Sequence, residues 1–402
     1  MSDTPTDTLL LHISGQDRPG ILADVIQTLS WYDVDMRDLQ QTTSLGQLNL
    51  SVLFKIRSSQ GLAIVRDMGK LLRERGLAVD FVVLEGDAPW RQVSGKTLAL
   101  TYLAPKVEAE GLHSVVREVA RMQLNVERIN WLTYPDVQCV ELVLQHPSDN
   151  PIRFAEIRQR LFEIAFRHHF DLALQPESLY RRSKRLIVMD MDSTLIQQEV
   201  IDELAVLAGV GPEVAHITEA AMQGELDFQA ALRQRVALLA GQPVSLLEQA
   251  LARIQLTPGV ERLIQVLKKL GFRTAVISGG FDYFANHLKE QLHLDYCFAN
   301  QLEIKDGHLT GRVCGEIIDK AAKARLLREL AQREQIPLEQ TIAVGDGAND
   351  LEMLNTAGLG VAFNAKPRVR QQAEAFLSQR GLDTILYLLG VTPRDLQAMQ
   401  ID

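Results

Sequence analysis

Asp190-Met191-Asp192-Ser193-Thr194 follows directly on an all-apolar run, Leu186-Ile187-Val188-Met189. Three further polar clusters come later in the chain: Ser278-Gly279-Gly280 after Thr274 to Ile277, Lys323 near a helix start, and Gly345-Asp346-Gly347-Ala348-Asn349-Asp350 after Thr341 to Val344. Two carboxylates at i and i+2 can serve one site when the backbone turns between them. A third from Asp346 makes a hard oxygen cage suited to Mg²⁺. Such a cage fits phosphoryl transfer, in which the carboxylate of Asp190 attacks phosphorus to form an aspartyl-phosphate and an adjacent acid protonates the leaving oxygen. The Ser278 hydroxyl, backbone N–H groups near Gly279 and the Lys323 ammonium would hold the phosphate oxygens as charge redistributes. An Asp-x-Asp pair alone usually marks a turn. Specificity comes from the joint placement of all four clusters, each after a strand or on a helix.

Those clusters need a scaffold that gathers strand ends. From residue 184 to about 396, apolar runs alternate with helical stretches such as Val260 to Leu270 and Ala321 to Gln332, the pattern of a doubly wound α/β sheet. Ligands collect at the carboxyl ends of such strands. Residues 200–256 have helical periodicity without a convincing strand and are expected to form a helical cap inserted over the sheet edge. Between Leu302 and Val313 an alternating pair flanks Asp306-Gly307, a hairpin signal. The basic run Arg181-Arg182-Ser183-Lys184-Arg185 reads as a solvated linker.

The first 176 residues read differently. A strand over Leu9 to Ile13 is followed by Gly15-Gln16-Asp17-Arg18-Pro19-Gly20, with Pro19 where a first helical turn tolerates it, and then by apolar residues at helical spacing from Ile21 to Leu29. Two alternating runs, a second helix and a last strand complete βαββαβ over residues 9–85, a split unit with both helices on one face of an antiparallel sheet. The same order returns over residues 96–176, after a Gly- and Pro-containing linker from Glu85 to Ser94. Gly20 and Gly111 are 91 residues apart and Met36 and Val126 are 90 apart, which reads as an internal duplication. In the second copy the loop that matches Asp17-Arg18-Pro19-Gly20 is Ala104-Pro105-Lys106-Val107.

Composition narrows the function classes. At 402 residues, 46% hydrophobic and 23% charged, the chain is an ordinary globular one of several domains, which excludes disorder and coiled coil. Forty-two basic against 51 acidic residues leave a net charge of −9, which argues against nucleic acid as a partner held by charge. Cys139, Cys297 and Cys314 are too few and too widely spaced for a disulfide framework or a cysteine zinc site, and read as buried thiols of a cytoplasmic protein. There is neither an apolar stretch of membrane-spanning length nor a secretory leader pattern, so no membrane partner is expected.

The four clusters resemble the motifs of the haloacid dehalogenase-like phosphatases. More narrowly, Asp192-Ser193-Thr194-Leu195-Ile196 with Glu199 and Asp202-Glu203, then Met222-Gln223-Gly224 with Phe228 and Arg235, is similar to the phosphoserine phosphatases of that family. The resemblance implies a Rossmann-like phosphatase domain that hydrolyses O-phospho-L-serine, the last step of serine biosynthesis. It implies Asp190 as nucleophile, Asp192 as general acid and then base, and Mg²⁺ held by the side chains of Asp190 and Asp346 and the backbone carbonyl of Asp192, with Asp350 in support. Ser278, Gly279 and Lys323 would bind phosphate, and Asn349 would shape the site. Lys320, one turn before Lys323, is the rival phosphate ligand, and the run Lys320 to Arg325 aligns better with Lys323. Glu199 would meet the substrate ammonium and Arg235 its carboxylate, with Met222 and Phe228 closing the apolar sides. The first βαββαβ unit, through Asp17 to Leu22, resembles an ACT domain. That implies an amino-acid effector, serine among the candidates, a homodimer, or both.

Overall fold

The computed structural model describes residues 6–84, 97–133, 137–146, 154–223, 225–378 and 381–401, and the chain divides into two compact units, 1–94 and 95–402. In the first unit the elements are β1 (Thr6–Gln16), α1 (Ile21–Leu29), β2 (Val34–Ser44), β3 (Gln47–Arg57), α2 (Gly61–Glu74) and β4 (Ala78–Leu84), with antiparallel strands in the order β2-β3-β1-β4. Strand alternation sends Leu9, Leu11 and Ile13 of β1 and Leu48, Leu50, Val52, Phe54 and Ile56 of β3 to one face. There they bury against Ile21, Val25 and Leu29 of α1 and Ile64, Met68 and Leu72 of α2. α1 starts later than Pro19 suggests. Gly20, at φ 97°, is its N-cap, in a conformation that a side chain would strain, and Pro19 sits in the turn before it. The linker Glu85 to Ser94 lies outside the described residues.

The second unit opens with β5 (Thr97–Ala104), α3 (Ala109–Arg121), β6 (Asn125–Thr133), β7 (Gln138–Gln145), α4 (Phe154–Arg167) and β8 (Asp171–Pro176), whose strands repeat the earlier order as β6-β7-β5-β8. Then come α5 (Leu179–Arg182), β9 (Leu186–Met189), α6 (Val200–Ala208), α7 (Gly211–Gln223), α8 (Phe228–Ala237), α9 (Ser245–Leu251), α10 (Val260–Lys269), β10 (Arg273–Phe281), α11 (Asp282–Gln291), β11 (Tyr296–Lys305), β12 (His308–Cys314), α12 (Lys320–Arg333), β13 (Thr341–Gly345), α13 (Leu351–Thr356), β14 (Gly360–Phe363), α14 (Pro367–Arg370) and β15 (Ala375–Leu377). The strands β11-β10-β9-β13-β14-β15 are parallel to one another. β12 returns antiparallel as a hairpin, with both Asp306 (φ 49°) and Gly307 (φ 74°) left-handed as a two-residue turn demands. The expected helical insertion is α6 to α9.

Sequence reading separated the second βαββαβ unit from the α/β sheet, and the structure joins them. β15 pairs antiparallel with β8, Ala375 opposite Ala173 and Phe376 opposite Leu172, so eleven strands form one sheet. Asp171 at the start of β8 accepts from Ser378 N (2.7 Å) and Ser378 Oγ (2.6 Å), and the Phe162 ring meets Phe376 edge-on at 4.9 Å. The basic run is not a solvated linker either. Arg181, 2% exposed, forms ion pairs of 2.8 Å with Glu141 on β7 and with Glu177. Glu141 also accepts from Arg182 at 2.7 Å and Asn130 at 3.0 Å. Lys184, also buried, donates to the carbonyls of Glu339 (2.5 Å) and Gly358 (2.8 Å). Charges this deep persist only when paired.

Candidate active site

β9 lies between β10 and β13, so three strands deliver their carboxyl ends to one crevice where the sheet's order reverses. Asp190 leaves β9 with its N–H still donated to Val344 O of β13 (2.9 Å), while Met191 N–H donates to Asp190 Oδ1 (2.7 Å). Beyond it the chain bends sharply. Ser193 has φ 53°, in the left-handed region, and Ile196 N–H donates back to Met191 O (3.1 Å). The bend falls just after Asp192 rather than between the two carboxylates. It leaves Asp192 Oδ1 accepting from Val200 N–H (3.0 Å) at the start of α6.

Glycines let the loops close on these carboxylates. A Cβ on Gly280 would lie 2.5 Å from Asp192 Oδ2, and one on Gly345 would collide with the Asp350 carboxyl. Ser278 is fully buried and its Oγ accepts from Gly280 N–H (2.8 Å). Ser278-Gly279-Gly280 is not a loop after the strand but an irregular last part of β10, and the Phe228 ring of the cap covers it at Gly279, where a Cβ would lie 2.9 Å from the ring edge. The Asn349 side chain lies against Gly347.

Lys323, on the first turn of α12 and 1% exposed, puts its ammonium 2.7 Å from both Asp190 Oδ2 and Asp350 Oδ1. Asp350 spends its other oxygen on Gly347 N–H (3.0 Å). Lys320, one turn earlier, is exposed and pairs with Glu352 at 3.4 Å, away from these carboxylates. In the cap, Ser193 Oγ donates to Glu199 Oε1 (2.8 Å), and Arg235 makes long hydrogen bonds to Thr218 Oγ1 (3.5 Å) and Ala231 O (3.4 Å). Met222 falls on the last turn of α7, and its side chain lies outside the described residues.

The electrostatics are those of a buried, acid-rich cleft. Burial, then the negative charge of Asp350, pushes Asp190 well above the ordinary carboxylate range against the pull of Lys323. Burial and Glu199 lift Asp192 to about 8, and burial and Asp350 lift Asp346 to about 7. Burial opposes the Lys323 charge, but Asp190 and Asp350 overcome it and raise its pKa. Burial likewise lowers Arg235 against the attraction of Asp202, Glu199 and Asp192. Oxygens of Asp190, Asp346 and Asp350 lie within 4.8 Å of one another. One ammonium cannot balance these carboxylates together with Asp192, and an all-oxygen donor set fits a hard divalent cation.

Asn300, in the middle of β11, escaped the sequence reading. It is completely buried, its Nδ2 donates to Gly279 O (2.8 Å), and its Oδ1 accepts from Ile318 N–H (2.8 Å). One amide thereby fixes the end of β10 at Ser278 relative to the approach to α12 and Lys323. An asparagine inside a strand, where the residue type is disfavoured, was the available signal.

Comparison with known proteins agrees with this arrangement. Residues 187–355 match the family described as haloacid dehalogenase-like hydrolase, and residues 7–82 match the ACT domain. A phosphoserine phosphatase of Streptomyces coelicolor is 44% identical over 99% of this chain and 95% of its own length. Among solved structures, a HAD family hydrolase of Salmonella enterica serovar Typhi superposes with a TM-score of 0.63 at 33% identity, covering 72% of this chain and 98% of that one. A probable phosphoserine phosphatase of Vibrio cholerae gives 0.56 at 36% identity, covering 75% and 88%. With its carboxylates, lysine and serine gathered at the strand ends beneath a helical cap, this chain belongs to the phosphoserine phosphatase family of haloacid dehalogenase-like hydrolases, with an ACT domain at its N-terminus.

Proposed function

We propose that the chain hydrolyses O-phospho-L-serine to L-serine and phosphate through an aspartyl-phosphate on Asp190. The observation that carries this reading is the burial of Lys323 between Asp190 and Asp350, beside Ser278 and beneath a cap that bears Glu199 and Arg235. An Asp190 oxygen attacks phosphorus as the bond to the serine oxygen breaks, and Asp192 gives its proton to that oxygen. A carboxyl lifted to about 8 holds this proton at neutral pH. In the second half, ionised Asp192 takes a proton from the water that attacks phosphorus, which frees Asp190. Ser278, the backbone at Gly279 and Lys323 hold the phosphate oxygens, and Asn349 shapes that pocket.

The side chains of Asp190 and Asp346 with the Asp192 carbonyl would hold Mg²⁺, and Asp350 would support them. When bound, the ion supplies positive charge against the phosphate. In the cap, the Glu199 carboxylate suits an ammonium and the Arg235 fork a carboxylate, with Phe228 and Met222 on the apolar sides. The ACT domain is proposed to bind an amino-acid effector such as serine or to mediate a homodimer, and the βαββαβ unit over 96–176 is proposed as a second, ACT-like copy.

Phosphate release measured on O-phosphoserine, O-phosphothreonine and a sugar phosphate tests the substrate. A clear preference for O-phosphoserine is expected, and equal kcat/KM on all three would overturn the assignment.

A further inference from the structure

The cap helix α8 is fastened differently at its two ends. Past its C-terminus the chain is bonded to the β11–β12 hairpin, with Gly241 N–H to Leu309 O (2.8 Å), Leu309 N–H to Gln242 O (2.8 Å) and Val244 N–H to Gly307 O (2.9 Å). Gly311, at φ 81°, lets β12 come so close that a Cβ there would lie 2.8 Å from the Ala240 Cβ. The N-terminal end is held to the α/β core by side chains, the Phe228 ring on Gly279 and Gln229 Nε2 donating to Asp319 Oδ2 at 3.0 Å.

Asp319 has a second task. Its Oδ1 accepts from the N–H groups of Ala321 and Ala322, both at 3.0 Å, as N-cap of α12, and its carbonyl accepts from Lys323 N–H at 2.9 Å. One carboxylate therefore touches both the N-terminal end of the cap helix and the first turn of the helix that presents the phosphate lysine. The N-cap of α8 is supplied separately, by Asp227 accepting from Ala230 N–H (2.7 Å), so the Gln229 bond is not needed to form that helix.

We infer that Gln229 and Asp319 are a positioning pair, a latch that holds the N-terminal end of α8 against the core when the cap is closed over substrate. The inference rests on the phosphoserine reading above. α8 also carries Phe228 and Arg235, so latching sets where the amino-acid end of the substrate is gripped relative to phosphate at Ser278 and Lys323. A phosphate ester without ammonium or carboxylate has nothing for that grip to hold and is insensitive to it.

Steady-state kinetics of the full chain test this. Gln229→Leu keeps the bulk and removes the donor, and Asp319→Ser keeps one oxygen for the α12 cap and removes the other. Each variant is expected to raise KM for O-phosphoserine about five- to tenfold, within the net range of one ordinary hydrogen bond, with kcat within about twofold. The kcat/KM for p-nitrophenyl phosphate should stay within about twofold, and the double variant should be no worse than the poorer single one. An unchanged KM for O-phosphoserine in Gln229→Leu, equal losses on both substrates, or additive losses in the double variant would each overturn the latch and leave the phosphoserine reading standing. A wild-type protein that hydrolyses p-nitrophenyl phosphate but not O-phosphoserine would overturn that reading, and the latch with it.

Discussion

The two βαββαβ units share a strand order and differ in what covers the second face of the sheet. In the first, the face away from α1 and α2 carries the solvent-exposed His12 beside Ser51, joined at 3.0 Å. The equivalent pair in the second is Thr101 and Glu141, both buried, with Glu141 locked to Arg181. Ala78 at the exposed start of β4 corresponds to Asp171 at the buried start of β8, where the carboxylate holds Ser378 next to β15. Leu103, Cys139 and Ala173 of the second unit belong to the same core as Ile187 and Met189 of the α/β sheet. The βαββαβ unit over residues 96–176 is thus built into the same sheet as the α/β strands, whereas the one over residues 9–85 has an exposed outer face and the Asp17-Arg18-Pro19-Gly20 loop, whose Asp17 accepts from Thr43 Oγ1 (3.0 Å).

The largest effect that can break this contrast is at Glu141. Glu141→Gln removes one of the two ion pairs of buried Arg181 together with the charge partner of Arg182 and should cost about 3–5 kcal/mol in a denaturant titration, whereas Ser51→Ala, at the matching solvent-facing position, should stay within about 0.5 kcal/mol. Similar losses at both positions would erase the distinction. pH supplies a second handle on the same residue. Burial raises the Glu141 pKa, but Asn130, Arg181 and Arg182 outweigh it, so the folded value lies below the ordinary 4.5. Its contribution is therefore present above the unfolded value and lost as pH falls through the folded one, and the Gln variant should show a shallower acid limb.

Asp171→Asn comes next, weakening the two bonds to Ser378, with an expected loss of about 1–3 kcal/mol by thermal or chemical melting. An unperturbed melt would mean that the β8–β15 junction adds no stability. A gentler effect concerns cation binding. With the proposed ligand Asp346 lifted to about 7, the cation-free cleft holds a proton in mild acid that Mg²⁺ must displace, so affinity should rise with pH through that range. Calorimetry in buffers of different ionisation enthalpy would reveal the released protons, and a pH-independent affinity would contradict the buried-carboxylate account. The smallest effect is expected from removing residues 1–94, a compact unit of its own, which should leave turnover within about twofold. A collapse of activity would mean that the first unit is as deeply built in as the second.

Much of the site was legible because its chemistry is local. Asp190, Asp192, Asp346 and Asp350 come within a few residues of the ends of apolar strands and Ser278 lies in the last part of β10, and the structure gathers them with Lys323 at neighbouring strand ends. What stayed hidden depends on partners far along the chain. Lys184 is satisfied by carbonyls 155 and 174 residues away, so its charge looked like that of a solvated linker. β15 is three residues long, too short to leave an alternation pattern, and it is the strand that fuses the two sheets. Gln229 and Asp319 lie 90 residues apart, and neither is unusual in its own segment.

The most direct test of the central claim is a rapid acid quench of the full chain during turnover of O-phosphoserine, followed by peptide mass analysis. One phosphoryl group on the peptide containing Asp190, absent from Asp190→Asn, is the predicted result. Turnover with no phosphopeptide, or with the phosphoryl group on another residue, would contradict it.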